Sequence, residues 1–247
     1  MIAELYALTH RGNPGDVAFY REVCRGARRV LELGSGAGRL LIALSSAERD
    51  VVGLELDPML LALSRRNCRR LPHAARKRVR IVPGDMRDFE LKQRFDRVLL
   101  PYNALYCLLG RRAALACFRA VHRALVEGGT LAFDVWNAAP FRRRAAQAGL
   151  DTDEVIVSFR HARRTWDVFE RSRVRTARQR LDVTYSYVPR EGGTTYQIPI
   201  AQRYFLPSEI SQLLTRSGFV VEARYGDFEG RRFAANSAQL IVLARAI

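Results

Sequence analysis

Three observations predict an α/β chain built on a mostly parallel sheet covered by helices on both faces. Short apolar runs of strand length alternate with helical stretches from Arg28 onward. A glycine-rich turn joins the first such run to the first helix. Acids stand at the ends of the next two runs. After Pro140 the period changes to two, which predicts an antiparallel insertion.

Taken in order, RRVLELG is the first buried strand, Gly34 to Gly38 the turn, and RLLIALSSA a helix. DVVGLELD is the second strand, followed by a helix with Met59, Leu60 and Leu63 on one side. RVRIVPGD and FDRVLLP are the third and fourth strands. RRAALACFRAVHRALVEGG reads as a helix closed by Gly128 and Gly129, residues suited to a left-handed C-cap, and GTLAFDVW as the fifth strand. VIVSF, TWDVFE, LDVTYSYV and TTYQIPIAQRYF then alternate, with Val183, Tyr185 and Tyr187 on one face of their strand and Tyr196, Ile198 and Ile200 on one face of the next. LPSEISQLLTRSGF is a helix with Ser208 as expected N-cap, and VVEARYG and SAQLIVLAR close the sheet. The whole is a doubly wound, Rossmann-like, mostly parallel seven-stranded sheet with an inserted antiparallel β cap. Residues 1–27 are expected to form an N-terminal lid, 28–140 and 204–247 the ligand-binding domain, and 141–203 the cap.

Composition bounds the function. At 247 residues, 48% hydrophobic and 27% charged, the chain has the balance of one globular domain with an insertion. No apolar run reaches the roughly 18 residues of a membrane span, and the N-terminus has no signal-peptide pattern, so a cytoplasmic protein is expected. The net charge is +16, and only Lys77 and Lys92 are lysines. An arginine-rich solvated surface is the plain reading, and nucleic acid the alternative. Cys24, Cys68, Cys107 and Cys117 form no CxxC pair and are expected as free thiols.

The segment Glu32-Leu-Gly34-Ser-Gly36-Ala-Gly38-Arg39 follows a strand and opens a helix, the context of a nucleotide-binding loop. Its spacing is GxGxG, with Arg39 where a GxGxxG dinucleotide loop has its third glycine. Glu55, at the end of the second strand, stands where a carboxylate accepts ribose hydroxyls. Asp85, beside Met86 after the third strand, suits an adenine amino group and ring face. Glu55 would serve a dinucleotide equally well; the displaced third glycine and the third-loop acid decide against that ligand.

On ELGSGAGR, GLELD, PGDMRDF, FDRVLLPYNALYCL and LVEGGTLAFDVWN, the chain resembles the class I S-adenosylmethionine-dependent methyltransferases. The resemblance covers residues 28–137 and continues at RYFLPSEISQLLTRSGF and RYGDFEGRRF, which look like small-molecule N-methyltransferases of the sugar-amine and glycine type. It implies S-adenosyl-L-methionine as cofactor, a small-molecule acceptor methylated on nitrogen or oxygen, and a cap that closes over it. Gly34, Gly36 and Gly38 would line the methionine part, Glu32 would approach its ammonium and Glu55 would hold the ribose. Leu56, Asp85 and Met86 would frame the adenine, and Leu100 would contact the cofactor through its backbone. Tyr6, with Tyr20 as next candidate, would fold over the cofactor from the N-terminal segment. A homodimer is an allowed assembly, and an RNA-directed methyltransferase using the basic surface is the alternative function.

Such chemistry asks mainly for positioning and exclusion of water, while a hydroxyl nucleophile additionally needs a base. His10, in the lid segment, is the candidate base. Tyr102, after the fourth strand, and Asn137 and Asp134, after the fifth, are the other acceptor-side candidates. His122, His73 and His161 read as structural or surface residues. Pro101-Tyr102-Asn103-Ala104 departs from the NPPY motif of nucleobase methyltransferases. Tyr185, Tyr187, Tyr196, Tyr204 and Phe205 could wall an amine, and Arg142, Arg143 and Arg144 could meet an anionic substituent. No metal-ligand spacing is present.

Overall fold

The computed structural model describes residues 1–145 and 151–247. Helices α1 (Ile2–Thr9) and α2 (Asp16–Val23) precede β1 (Arg29–Leu33), α3 (Arg39–Leu44), β2 (Asp50–Glu55), α4 (Pro58–Cys68), α5 (His73–Arg76), β3 (Val79–Pro83) and β4 (Phe95–Leu100). There follow α6 (Arg111–Ala124), β5 (Leu125–Trp136), α7 (Ala138–Ala145), then β6 (Asp151–His161), β7 (Arg164–Arg175), β8 (Arg180–Pro189) and β9 (Tyr196–Arg203). The chain closes with α8 (Pro207–Thr215), β10 (Phe219–Tyr225) and β11 (Gln239–Ala246).

The seven-stranded sheet runs β10-β11-β5-β4-β1-β2-β3, and the second sheet runs β6-β7-β8-β9. From β5 through β3 neighbouring strands are parallel; β11 pairs antiparallel with both β5 and β10. Strand alternation explains why both faces need cover. Leu31, Val52, Val98 and Leu100 pack into one core with α6 and α8, while Val30, Val51 and Leu99 pack into another with α2 and α3. The parallel order brings the ends of β1, β2, β3, β4 and β5 to one edge, where ligands bind in such folds.

The cap is an antiparallel meander from β6 to β9, its register broken once, between Val155 and Val157 of β6. Trp166, Val168 and Tyr187 on one of its faces bury against Leu5 of α1, so the N-terminal helix belongs to the cap's own small core.

Three element boundaries differ from expectation. Helix α6 ends at Ala124, because Leu125, 1% exposed, pairs with Phe95 of β4 and starts the strand early. Gly128, at φ 69, turns within the irregular stretch of β5 and caps no helix. Helix α3 stops at Leu44, where the Ser45 hydroxyl folds back onto the Ile42 carbonyl at 2.8 Å. Leu206, not Ser208, caps α8: with Pro207 in the first turn, Glu209 reaches back and accepts the Leu206 N–H at 3.0 Å.

Candidate active site

The turn after β1 is built by left-handed backbone. Gly34, Gly36 and Gly38 have φ of 63, 55 and 84. At Gly38 a Cβ would stand 2.5 Å from Ser64 Oγ, so that glycine lets the turn pack on α4. At Gly36 a Cβ would meet nothing within 4 Å; the backbone borders open space. Arg39, which displaces the third dinucleotide glycine, clasps Asp16 of α2 through two hydrogen bonds of 2.8 and 2.6 Å. That ion pair ties the N-terminal segment to the turn.

Two acids border the turn. Glu55 Oε2 accepts the Gly36 N–H at 2.7 Å and Oε1 accepts the Asp57 N–H at 2.8 Å. Each oxygen keeps a further lone pair for a ligand. Glu32 is 3% exposed, and its Oε2 has no partner among the described residues. Burial pushes its carboxyl up to about 8; Glu55 adds to that, while Arg39 and the Leu41 amide oppose it. A buried acceptor with no partner is costly unless something cationic or donating meets it.

Asp85 lies on the adjacent strand end: the Gly84 N–H donates to the Glu55 carbonyl at 3.0 Å. Its carboxylate grips the Arg87 guanidinium and is held below its ordinary range by that bond. The Met86 methyl lies 3.8 Å from where a Gly34 Cβ would be, which closes the third loop onto the turn. Leu56 is 68% exposed at this edge and offers an apolar face. Leu100 is fully buried, leaving only its backbone for the edge.

Beside this edge lies a cavity of about 250 Å³ between the cap and the loops after β4 and β5. From below it is lined by Tyr6, His10, Tyr102, Asn103, Cys107 and Trp136. The cap contributes three cross-strand pairs, Glu170 with Tyr185, Val183 with Ile200, and Leu181 with Gln202. Tyr6 and Cys107 both feel the Glu55 charge, so cavity and turn adjoin.

His10 stacks on Tyr6 at 4.0 Å and meets Tyr185 edge-on at 4.7 Å. Its Nδ1 lies 3.0 Å from the Tyr6 carbonyl, which can only accept, so Nδ1 carries the proton and Nε2 keeps its lone pair. Burial lowers its pKa and favours this neutral form. Tyr102 has φ 53, held by the bond from its N–H to Asp134 Oδ1 at 2.9 Å. Asn103, at φ 64, accepts the Trp136 N–H at 2.7 Å.

Asn137 does not fit the catalytic role expected of it. Both side-chain N–H groups are spent on the Ala235 and Ser237 carbonyls, at 3.2 and 2.9 Å, and it braces the loop before β11. Asp134 is fully buried, accepting the Tyr20 hydroxyl at 2.5 Å and the Asn13 carboxamide at 3.2 Å, and burial raises its pKa to about 6. Tyr20 is therefore a core residue. Of the cap aromatics Tyr185 lines the cavity, while Tyr187, Tyr204 and Phe205 are fully buried. His161 donates to Glu4 at 3.1 Å, and Glu4 also holds Arg66 of α4, so this carboxylate joins lid, cap and sheet domain. Arg142 is exposed; the side chains of Arg143 and Arg144 lie outside the described residues.

Sequence reasoning missed Glu170, Trp136 and Cys107. Glu170 sits two residues on from Val168 in a period-two run, which places it on the inward face of its strand; that spacing was the available signal. Among the described residues no group of His, Cys, Asp and Glu could hold a metal ion, and no helix is long and apolar enough to cross a membrane.

Residues 30–129 match a family model described as a methyltransferase domain. A dTDP-3-amino-3,6-dideoxy-alpha-D-glucopyranose N,N-dimethyltransferase from Streptomyces fradiae is 31% identical over 55% of this chain. The match takes in 53% of that enzyme, so the chain spans about half the length of this curated relative. Among solved structures, the methyltransferase CcbJ of Streptomyces caelestis superposes with a TM-score of 0.79 at 27% identity, covering 95% of this chain and 90% of that one. An amino pentose methyltransferase from Micromonospora echinaspora shares the fold, with a TM-score of 0.71 at 24% identity over 99% and 96% of the two chains.

Proposed function

We propose that this chain, which belongs to the class I S-adenosylmethionine-dependent methyltransferases, moves a methyl group onto a nitrogen of a small molecule held beneath its β cap. One observation carries the reading: an open, glycine-built turn with an unpartnered buried carboxylate adjoins a cavity of about 250 Å³ beneath the cap. The amino-sugar substrate of the Streptomyces fradiae relative supports nitrogen as acceptor.

The residues of the edge fit S-adenosylmethionine. Glu32 Oε2 is an unpartnered buried oxygen that its ammonium would meet and ionise, and Glu55 offers free lone pairs to a ribose diol. Gly34, Gly36 and Gly38 leave bare backbone for the methionine part, with the Leu100 backbone beside them. Leu56 and Met86 frame the adenine, and Asp85 would meet its amino group in exchange for part of its grip on Arg87. When bound, S-adenosylmethionine supplies a methyl group already activated by a sulfonium. The protein's part is to orient the acceptor and keep water out. Tyr6 of α1, His10 just after it, Tyr102 and the cap do this by lining the cavity.

A hydroxyl acceptor is the second reading, favoured by the unprotonated Nε2 of His10. The cytoplasmic location and the homodimer read from the sequence belong to this proposal as well; light scattering checks the assembly. Calorimetry with S-adenosylmethionine, followed by mass spectrometry of amine and alcohol acceptors incubated with the enzyme, tests the function. Cofactor binding and a gain of one methyl mass on an amine are expected. Neither heat nor thermal stabilisation on adding cofactor would overturn the assignment.

A further inference from the structure

Resting on the function proposed above, we propose that Glu170 recognises the acceptor through a cationic amine, and that the cavity selects a compact molecule carrying a basic nitrogen. Among the described residues that line the cavity, Glu170 is the one carboxylate, and no lysine or arginine is among them. The +16 charge of the chain is thus a property of its surface, and the acceptor chamber has the opposite sign.

The carboxylate is held in place. Ser172 Oγ donates to Oε1 at 2.9 Å, and Tyr185 stands opposite as its cross-strand partner. A neutral donor holds the carboxylate without neutralising its charge, and a carboxylate has lone pairs to spare. Around it the cap presents Leu181, Val183 and Ile200, against which the carbon skeleton of an acceptor packs. A fixed anion in a partly apolar wall attracts a cation more strongly than the same anion in water does.

The placement also suits the reaction. The bound ammonium must first give its proton to solvent, which frees the lone pair; the neutral amine then gains the methyl group as the methyl–sulfur bond breaks, so positive charge returns to nitrogen as the product forms. A preorganised carboxylate facing that nitrogen stabilises the growing charge. His10, across the cavity and in edge contact with Tyr185, carries its proton toward the Tyr6 carbonyl and presents no competing cation.

Cyclohexylamine, a cation at pH 7.5, and cyclohexanol, its neutral counterpart of matched size, are the probes. Ligand-detected NMR titrations compare them on the wild type, Glu170→Gln and Glu170→Asp, each shown to be folded by its melting curve. The wild type is expected to bind the amine at least tenfold more tightly than the alcohol, the scale of a charge-assisted hydrogen bond. Glu170→Gln should reduce that ratio to about one without weakening the alcohol, and Glu170→Asp should keep most of it. Should Glu170→Gln fail to fold, Glu170→Asp decides together with the wild-type ratio: a shorter carboxylate must retain a preference for the amine. No preference in the wild type, or one undiminished in Glu170→Gln, overturns the proposal. S-adenosylmethionine calorimetry on the same samples keeps the outcomes apart: cofactor heat without amine preference sinks the role of Glu170 alone, and absent heat sinks the methyltransferase reading.

Discussion

Replacing Glu55 by Gln tests the cofactor edge with almost no change of volume. The wild-type carboxylate accepts from two backbone donors, the Gly36 N–H at 2.7 Å and the Asp57 N–H at 2.8 Å, and is 7% exposed. A carboxamide has one oxygen and one NH₂ group, so whichever way it turns, one backbone N–H faces another donor. The lost bond is of the charged kind, worth about 1.5–3 kcal/mol. The same substitution removes the anion proposed to receive the ribose hydroxyls. Since Gly36 belongs to the turn itself, the loss falls on the bound state, and cofactor affinity should drop by roughly ten- to 150-fold. Titration calorimetry with S-adenosylmethionine reads this directly, beside a melting curve that reports how much loop stability is lost. A folded Glu55→Gln variant with wild-type affinity would refute the argument that this carboxylate organises the turn and holds the sugar.

Gly38→Ala should lower stability by about 1–3 kcal/mol, because φ 84 disfavours a side chain and the new methyl would stand 2.5 Å from Ser64 Oγ; an unchanged melting temperature would contradict this. Glu32, with its pKa up to about 8, is largely protonated at pH 7, and a cationic ligand beside it would favour ionisation. Cofactor binding at pH 7 should therefore release protons, seen as a buffer-dependent binding enthalpy that Glu32→Gln abolishes; buffer-independent heats in the wild type would count against the pairing. Folding raises the Asp134 pKa from 3.8 to about 6, so the native state holds that proton more tightly than the unfolded chain. The stability this group adds is fully present below pH 3.8 and is lost as pH rises toward about 6. Asp134→Asn should flatten that part of the stability profile in urea titrations, and an unaltered slope would show that another group sets it.

What could be read from sequence was whatever local pattern determines. The β1 turn, the acids after β2 and β3 and the two-residue period of the cap are all written within a few residues of where they act. Asn137 was misread because its role depends on carbonyls of residues 235 and 237, almost a hundred positions away. The end of α6 was misread because the glycine pair looks like a cap, whereas strand pairing of Leu125 with Phe95 ends the helix first. Tyr20 read as the next candidate after Tyr6 to fold over the cofactor; its bond to Asp134, 114 positions on, shows that it is core. Glu170 carried no motif, since its meaning comes from the register that sets it beside Tyr185 and from the fold that lays that face over the loops.

The cap sheet meets the rest of the molecule through alternate residues of β7, β8 and β9, and the cavity wall uses the lower end of that same stripe. Intervening positions such as Thr184 and Ala201 point the other way and take no part in the cavity wall. Substitutions confined to the inward positions would therefore reshape the cavity while leaving the glycine turn after β1 intact.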